Sequence, residues 1–286
     1  MKIVTDSGTD TRYLNTKKYE IHEVSLKVNI GEKTYLDGQG EDLDHFYQMM
    51  ETSEILPKTS QPSAGEFADL YRKLAKEDKE ILSIHISSGL SGTVNSATTA
   101  AAMVPEANVT VVDTKTLSVG AGWQVMEAAK AMAAGWTRDQ IVPYLKRIAD
   151  ATRTIYTLKE LKYLINGGRI SHMKGLIASI LNIKPLIGVD NVKGDYTQLS
   201  QSRSFKLALQ GLVNLIGKTV SPEEKIIAQV VHAANREGAE SLESQVSSRF
   251  RTIWYPACQL SLVLGAHTGS SLVGICYAPA SVFENL

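Results

Sequence analysis

The clearest chemical content of the chain lies in three stretches of small polar residues: Thr59-Ser60-Gln61-Pro62-Ser63, Ser87-Ser88-Gly89-Leu90-Ser91-Gly92-Thr93 and Gly265-Ala266-His267-Thr268-Gly269-Ser270. Each follows an apolar run that reads as a strand. Hydroxyls and glycine-backed amides beside helix starts hold a carboxylate or phosphate through donors and the positive end of the helix dipole, without a metal. Thr59, Ser60, Ser91 and Gly92 are therefore candidate anion contacts, and plain helix capping is the competing reading for any one hydroxyl. His267, flanked by glycines, adds a titratable donor where the backbone approaches something closely; a structural histidine is the alternative. Arg169, after Gly167-Gly168, and Arg203, in Gln201-Ser202-Arg203-Ser204-Phe205-Lys206, are cations whose neighbours point to pairing with a carboxylate or phosphate. A surface arginine or an interdomain ion pair explains either one equally well.

Other chemistries find less support. His22, His45, His85, His172 and His232 lack the paired spacing of a metal site. The opening Thr5-Asp6-Ser7-Gly8 has one glycine where a dinucleotide or phosphate loop needs several. The 30 Lys and Arg balance 30 Asp and Glu with no long run of either sign, which leaves no electrostatic footprint for a nucleic-acid backbone.

The elements that must position these residues alternate strand and helix. Lys2–Val4, Glu80–Ile86 and Asn108–Val112 read as strands, the last two followed by amphipathic or Ala-rich stretches, the rhythm of a parallel sheet. Ser63 with Glu66, and Thr137 with Gln140, make capping-box patterns before apolar residues at helical spacing. From about Thr154 the texture changes. A strand (Thr154–Leu158), a helix ending at Gly167-Gly168 and a helix through Ile177 and Leu181 precede strands at Ile183–Val189 and Tyr196–Ser202. A helix through Leu207 and Leu215, a strand at Ile226–His232, a helix near Glu240–Phe250 and strands at Leu260–Leu264 and Leu272–Tyr277 complete the pattern. The expected fold is α/β with two α/β domains: residues 1–150 around a mostly parallel sheet with flanking helices and carrying the hydroxyl loops, and residues 151–286 around a smaller, largely antiparallel or mixed sheet. At helical spacing, Ile177, Ile180 and Leu181 read as core or as the lining of an apolar tunnel.

At 286 residues, 43% hydrophobic and 21% charged, the composition is that of an ordinary globular protein. The opening Met1–Ser7 is a short apolar strand entering a polar turn, unlike a signal peptide. No uninterrupted apolar segment reaches the roughly 20 residues of a spanning helix. Cys258 and Cys276 lie far apart in apolar surroundings and read as buried reduced thiols. A cytoplasmic location is expected.

Taken in order, Val4-Thr5-Asp6-Ser7, Thr59 to Ser63, Ser87 to Thr93, Val111-Val112-Asp113 with Ser118-Val119-Gly120, Asn166-Gly167-Gly168-Arg169, Ile183-Lys184-Pro185 and Gly265-Ala266-His267 resemble the DegV family along the whole chain. That family comprises bacterial fatty-acid-binding proteins and includes the acyl-carrier subunit of fatty acid kinase. The resemblance implies one long-chain fatty acid as ligand, with no cofactor, held in a buried tunnel. Its carboxylate would be bonded by the hydroxyls of Thr59 and Ser91, with Ser60 and Gly92 beside them and His267 supporting the network. Arg169 and Arg203 would be supporting or partner-facing. It further implies a non-enzymatic carrier: a separate ATP-dependent kinase subunit phosphorylates the carboxylate, and an acyltransferase takes the acyl phosphate toward phospholipid synthesis. Peripheral membrane contact during ligand exchange and a monomeric state are the accompanying expectations. Two positions depart from the family pattern: Ser270 stands where proline is frequent, and Phe205 where a second basic residue is common beside Arg203. The rival reading is a serine hydrolase or acyltransferase with Ser91 as nucleophile, His267 as base and Asp6 or Asp113 orienting the histidine. Gly89-Leu90-Ser91-Gly92-Thr93 lacks the Gly-x-Ser-x-Gly elbow that such an enzyme uses to expose its serine.

Overall fold

A computed structural model describes the chain except for residues 17, 41, 171–172, 174–182 and 284–286. The helix expected through Ile177 and Leu181, the apolar residue Ile180 and His172 lie outside the described residues.

The first half contains β1 (Lys2–Asp6), β2 (Ile21–Val24), β3 (Lys27–Ile30), β4 (Lys33–Leu36), α1 (Leu43–Thr52), β5 (Lys58–Ser60), α2 (Ala64–Ala75), β6 (Glu80–His85), α3 (Thr93–Ala102), β7 (Asn108–Asp113), α4 (Ser118–Ala133) and α5 (Arg138–Ala151). Among the described residues, β2-β1-β6-β7 form a parallel sheet in that order. On one face, Phe67, Tyr71 and Leu74 of α2 pack with Ala97 and Ala100 of α3 over Val4 and Ile81. On the other, Val125 and Ala129 of α4 pack with Ile141, Leu145 and Ile148 of α5 over Ile3, Leu82 and Ile84. Each large apolar side chain buried in this way contributes about 1.5–3 kcal/mol before ordering costs. Both capping boxes form: Ser63 with Glu66 starts α2, and Thr137 with Gln140 starts α5.

The second half contains β8 (Arg153–Thr157), α6 (Lys162–Asn166), β9 (Lys184–Val189), β10 (Tyr196–Ser202), α7 (Phe205–Ile216), β11 (Lys225–His232), α8 (Arg236–Ser247), β12 (Arg251–Trp254), β13 (Cys258–Gln259), α9 (Leu262–Thr268) and β14 (Val273–Pro279). Its sheet runs β10-β9-β8-β14-β11-β12, with β13 also on β11. The β11–β12 and β11–β13 pairings are parallel and the others antiparallel, so the sheet is mixed. The α/β class, the parallel first sheet and the mixed second sheet agree with the sequence reading.

Three local expectations are corrected. Thr59 and Ser60 lie in a short strand, β5, of an antiparallel sheet ordered β4-β3-β5 that the sequence reading did not anticipate. The helix expected near Glu240–Phe250 starts earlier, at Arg236, because the Asn235 side chain accepts from the Gly238 N–H at its start, and it ends at Ser247. Leu260–Leu264 is not a strand: Leu262 opens α9, whose first free amides meet buried carboxylates. Ser261 N–H donates to Asp10 Oδ1 at 3.1 Å and Leu262 N–H to Asp37 Oδ1 at 2.9 Å. Carboxyl oxygens at an N-terminus satisfy orphan donors whether or not the group is ionised. The third polar stretch is thus the last turn of a helix and the residues after it.

One large apolar cluster joins the two halves, including Leu26, Phe46 and Leu117 from the first and Leu158, Tyr196 and Leu264 from the second. The site lies within it.

Candidate functional site

The strand ends of the parallel sheet are tied by a buried polar chain. Asp6 Oδ2 meets His85 Nδ1 at 2.9 Å and accepts from the Ile86 N–H at 3.1 Å. His85 Nε2 meets Ser83 Oγ at 2.7 Å, which in turn meets Tyr71 Oη at 2.7 Å. This chain fixes the exit of β6 just before the Ser87–Gly92 turn. That turn is closed by Leu90 and Ser91 N–H groups donating to Ser87 O, and Ser87 Oγ donates to Gly194 O at 2.7 Å in the β9–β10 turn. A Cβ on Gly89 would fall 2.8 Å from the Gly194 carbonyl carbon, so only glycine permits this clasp between the halves. Ser91 Oγ lies 2.8 Å from Thr93 Oγ1 and accepts from the Thr93 N–H at 3.3 Å. Ser91 thus takes the first amide of α3, whose N-cap residue is Gly92, and its hydroxyl proton is free for another acceptor when Thr93 donates to it.

Thr59 stands opposite Val28 in the β3–β5 pairing, and its Oγ1 is 2.7 Å from His267 Nε2 near the end of α9. His267 is buried, and among the described residues its Nδ1 has no hydrogen-bond partner. A Cβ on Gly167 would sit 2.1 Å from that nitrogen. An unpaired lone pair is tolerated better than an unpaired N–H, so we assign the proton to Nε2. Nε2–H then donates to Thr59 Oγ1, and the threonine hydroxyl keeps its own proton for a ligand. Burial first, and then the charge of Arg169, push the His267 pKa down to about 3, so the ring is neutral at physiological pH.

Arg169 Nε donates to Leu90 O at 3.2 Å and Nη1 to Gly167 O at 2.6 Å. Among the described residues no carboxylate pairs with it, and burial lowers its pKa. It brings an unbalanced positive charge to the wall of a small cavity. The cavity is lined by the polar side chains of Thr59, Ser60, Gln61, Ser91, Arg169 and His267, by the apolar side chains of Leu26, Ile86, Leu90, Leu117, Val263 and Leu264, and by Tyr196. The void measures about 30 Å³, room for little more than a water molecule.

Thr59, Ser60, Ser91, Arg169 and His267, expected from sequence, thus converge on one cavity. Gly92 adjoins it: a Cβ there would meet the Gln61 amide at 2.3 Å, so the glycine lets Gln61 lie across the turn. Arg203 is exposed and does not line the cavity. Phe205 is half-buried under the Lys159 ammonium, 5.4 Å from the ring centre, and Ser270 bonds Glu51. Gln61 and Tyr196 are lining residues that sequence reasoning missed; Gln61 lay inside a recognised motif, whereas nothing around Tyr196 marked it. Among the described residues no serine-enzyme triad is assembled: Ser91 bonds Thr93, Asp6 bonds His85, Asp113 bonds Ser88 and Lys115, and His267 Nδ1 meets no carboxylate. Among the described residues, no group of three or more His, Cys, Asp or Glu is placed to hold a metal, and no helix is long and apolar enough to cross a membrane.

Residues 1–280 match the family described as "Uncharacterised protein, DegV family". The chain belongs to the DegV family. It is 34% identical over 273 residues to DegV domain-containing protein SAR1438 of Staphylococcus aureus, covering 96% of each chain. It is 29% identical over 276 residues to Protein DegV of Bacillus subtilis, covering 96% of this chain and 98% of that one. A DegV family protein from Thermus thermophilus, solved under the heading of fatty acid binding, superposes with a TM-score of 0.89 at 27% identity, over 97% of this chain and 99% of the other. A stearic acid-binding protein from Eubacterium ventriosum superposes at 0.86 with 26% identity, over 100% and 99% of the two chains.

Proposed function

We propose that the chain binds one long-chain fatty acid, with its carboxylate at Thr59 and Ser91 and its tail among the apolar residues behind them. The observation that carries this reading is the polarity gradient of the cavity. Among the polar lining residues Ser60 is exposed and Thr59, Ser91 and Arg169 are half-buried, whereas the apolar residues Leu26, Ile86, Leu117, Val263 and Leu264 are all buried. An anionic head with an apolar tail fits that gradient in one orientation. Thr59 and Ser91 offer hydroxyl donors, His267 holds Thr59 in its donating orientation, and Arg169 balances the charge. Transfer of about fifteen methylenes at roughly 0.8 kcal/mol each offers about 12 kcal/mol before ordering costs. A tail of that length needs far more than the 30 Å³ present, so binding is coupled to separation of the apolar side chains. The solved relatives that bind fatty acids support the same class of ligand.

The half-exposed head-group side also suits presentation of the carboxylate to a partner. In this reading the chain is a cytoplasmic, monomeric carrier that meets the membrane only peripherally. A carboxylate oxygen attacks the γ-phosphorus of ATP held by a separate kinase subunit, the bond to ADP breaks, and the acyl phosphate stays on the carrier until an acyltransferase consumes it.

Native mass spectrometry of the purified protein, followed by extraction and titration of the delipidated protein with palmitate, tests binding. One equivalent bound, with affinity reduced about tenfold in Thr59→Val, a hydrogen bond's worth, is expected; a protein that takes up no fatty acid excludes the reading. Incubation of the loaded protein with ATP and a bacterial fatty acid kinase subunit, trapping acyl phosphate as a hydroxamate, tests the second step separately.

A further inference from the structure

We propose that the cleft bordered by Arg12, Lys18 and Lys130 is a second binding site, for a phosphate monoester with an aromatic or apolar body. The cleft holds about 550 Å³ and lies apart from the His267 cavity, with no lining residue in common. That volume is in the range of small-ligand sites. Among the described residues three cationic side chains line it and no acidic one does, in a chain whose charges balance.

Two of these cations are paired with buried carboxylates. Arg12 Nη2 donates to Asp10 Oδ1 at 3.1 Å and to Gln259 O at 3.2 Å, and Asp10 is fully buried, its oxygens also taken by Ser261 N–H and Ser118 Oγ. Both of these hydrogen bonds use Nη2, and the guanidinium also lies over the Tyr13 ring, 5.3 Å from its centre; a group with five N–H donors keeps some for a second acceptor. Lys130 Nζ lies 2.6 Å from Glu127 Oε1, and that buried carboxylate accepts from Tyr144 Oη through its other oxygen. Lys18 is exposed, with its ammonium over the Tyr19 ring at 4.9 Å. Among the described residues Lys18 has no carboxylate partner, and Arg12 is held in place by its two acceptors before an anion arrives.

The rest of the wall is apolar or aromatic: Tyr13, Tyr255 and Met126 take part in it. Tyr255 is itself braced edge-on against Trp123, with ring centres 5.9 Å apart. A bare inorganic ion leaves these surfaces unused; a phosphate ester with a ring or short chain covers them.

Calorimetric titration of the full-length protein with phenyl phosphate, inorganic phosphate and phenol tests the assignment. Phenyl phosphate is expected to saturate one site, with inorganic phosphate about tenfold weaker for want of the apolar contact and phenol giving no saturable heat. Lys18→Gln and Lys130→Gln are each expected to weaken phenyl phosphate about threefold. Palmitate binding by both variants reports that the fold survives and keeps this test separate from that of the fatty-acid site. Absence of saturable phenyl phosphate binding, or an affinity that neither variant moves, overturns the proposal.

Discussion

Gly167 lies against the imidazole of His267 so closely that a methyl group on its α-carbon would fall 2.1 Å from Nδ1. The Gly167 backbone is ordinary, with φ at −73°, so the glycine is required by the contact and not by conformation. Gly167→Ala is expected to push the ring off Thr59 and weaken fatty-acid binding about tenfold, the value of one hydrogen bond. Gly168→Ala is the converse case: φ is +74° and no atom of the described residues lies within 4 Å of its added Cβ. That change should cost about 1 kcal/mol of stability through backbone strain and leave affinity nearly intact. Urea unfolding and palmitate titration of the two variants distinguish the effects; equal affinities would remove His267 from the head-group network.

His267 gives the stability of the protein a pH dependence whose sign follows from its buried, neutral state. Its folded pKa is about 3 against an ordinary value of 6.5, so between those pH values the unfolded chain binds the extra proton. The stabilisation is complete above about pH 6.5 and is lost as pH falls toward 3, with a slope of up to about 1.4 kcal/mol per pH unit. His267→Gln should flatten that part of the profile. Denaturant midpoints for both proteins across pH 4 to 8 check it, and superimposable slopes would contradict the burial argument.

The parts of this site legible in sequence are those whose chemistry is local. Thr59, Ser91 and His267 stood out as small or titratable polar residues beside apolar runs, and the Ser63 cap fixed the start of α2. The α9 segment misled because Leu260–Leu264 is buried on every side, and a short run with no polar face carries no period to separate helix from strand. What makes it a helix is distant: Asp10 and Asp37 accept from its first amides across more than two hundred residues. The same separation hides the fit of Gly167 to His267 and the place of Tyr196 in the cavity. Arg203 resembled Arg169 in composition, and only the fold shows that one is exposed and the other lines the cavity.

Asp37 should act on pH dependence in the opposite direction from His267. Burial, and then the charge of Asp10, raise its pKa from 3.8 to about 7, so the folded state favours the protonated carboxyl. That stabilisation is full below about pH 3.8 and is lost as pH rises through 7. An amide at this position keeps an acceptor for the Leu262 N–H but cannot ionise, so Asp37→Asn should gain stability relative to the native protein as pH rises from 4 to 8. Guanidinium melts at both ends of that range test it; a constant difference would mean that Asp37 is ionised throughout.

Arg169 should set the preference for an anion over a neutral lipid. Its guanidinium is anchored by two backbone carbonyls and faces no carboxylate among the described residues, so a bound carboxylate supplies the missing charge. Arg169→Gln should weaken palmitate about tenfold, in line with loss of a charge-assisted contact. The alcohol of the same chain length, which buries the same tail, should change little. The ratio of the two affinities is the informative quantity, because damage to the tail site lowers both and leaves the ratio unchanged. Because Arg169 also lowers the His267 pKa, the same substitution should move the imidazole titration upward by NMR. A fixed ratio together with an unmoved titration would place the arginine outside the head-group field.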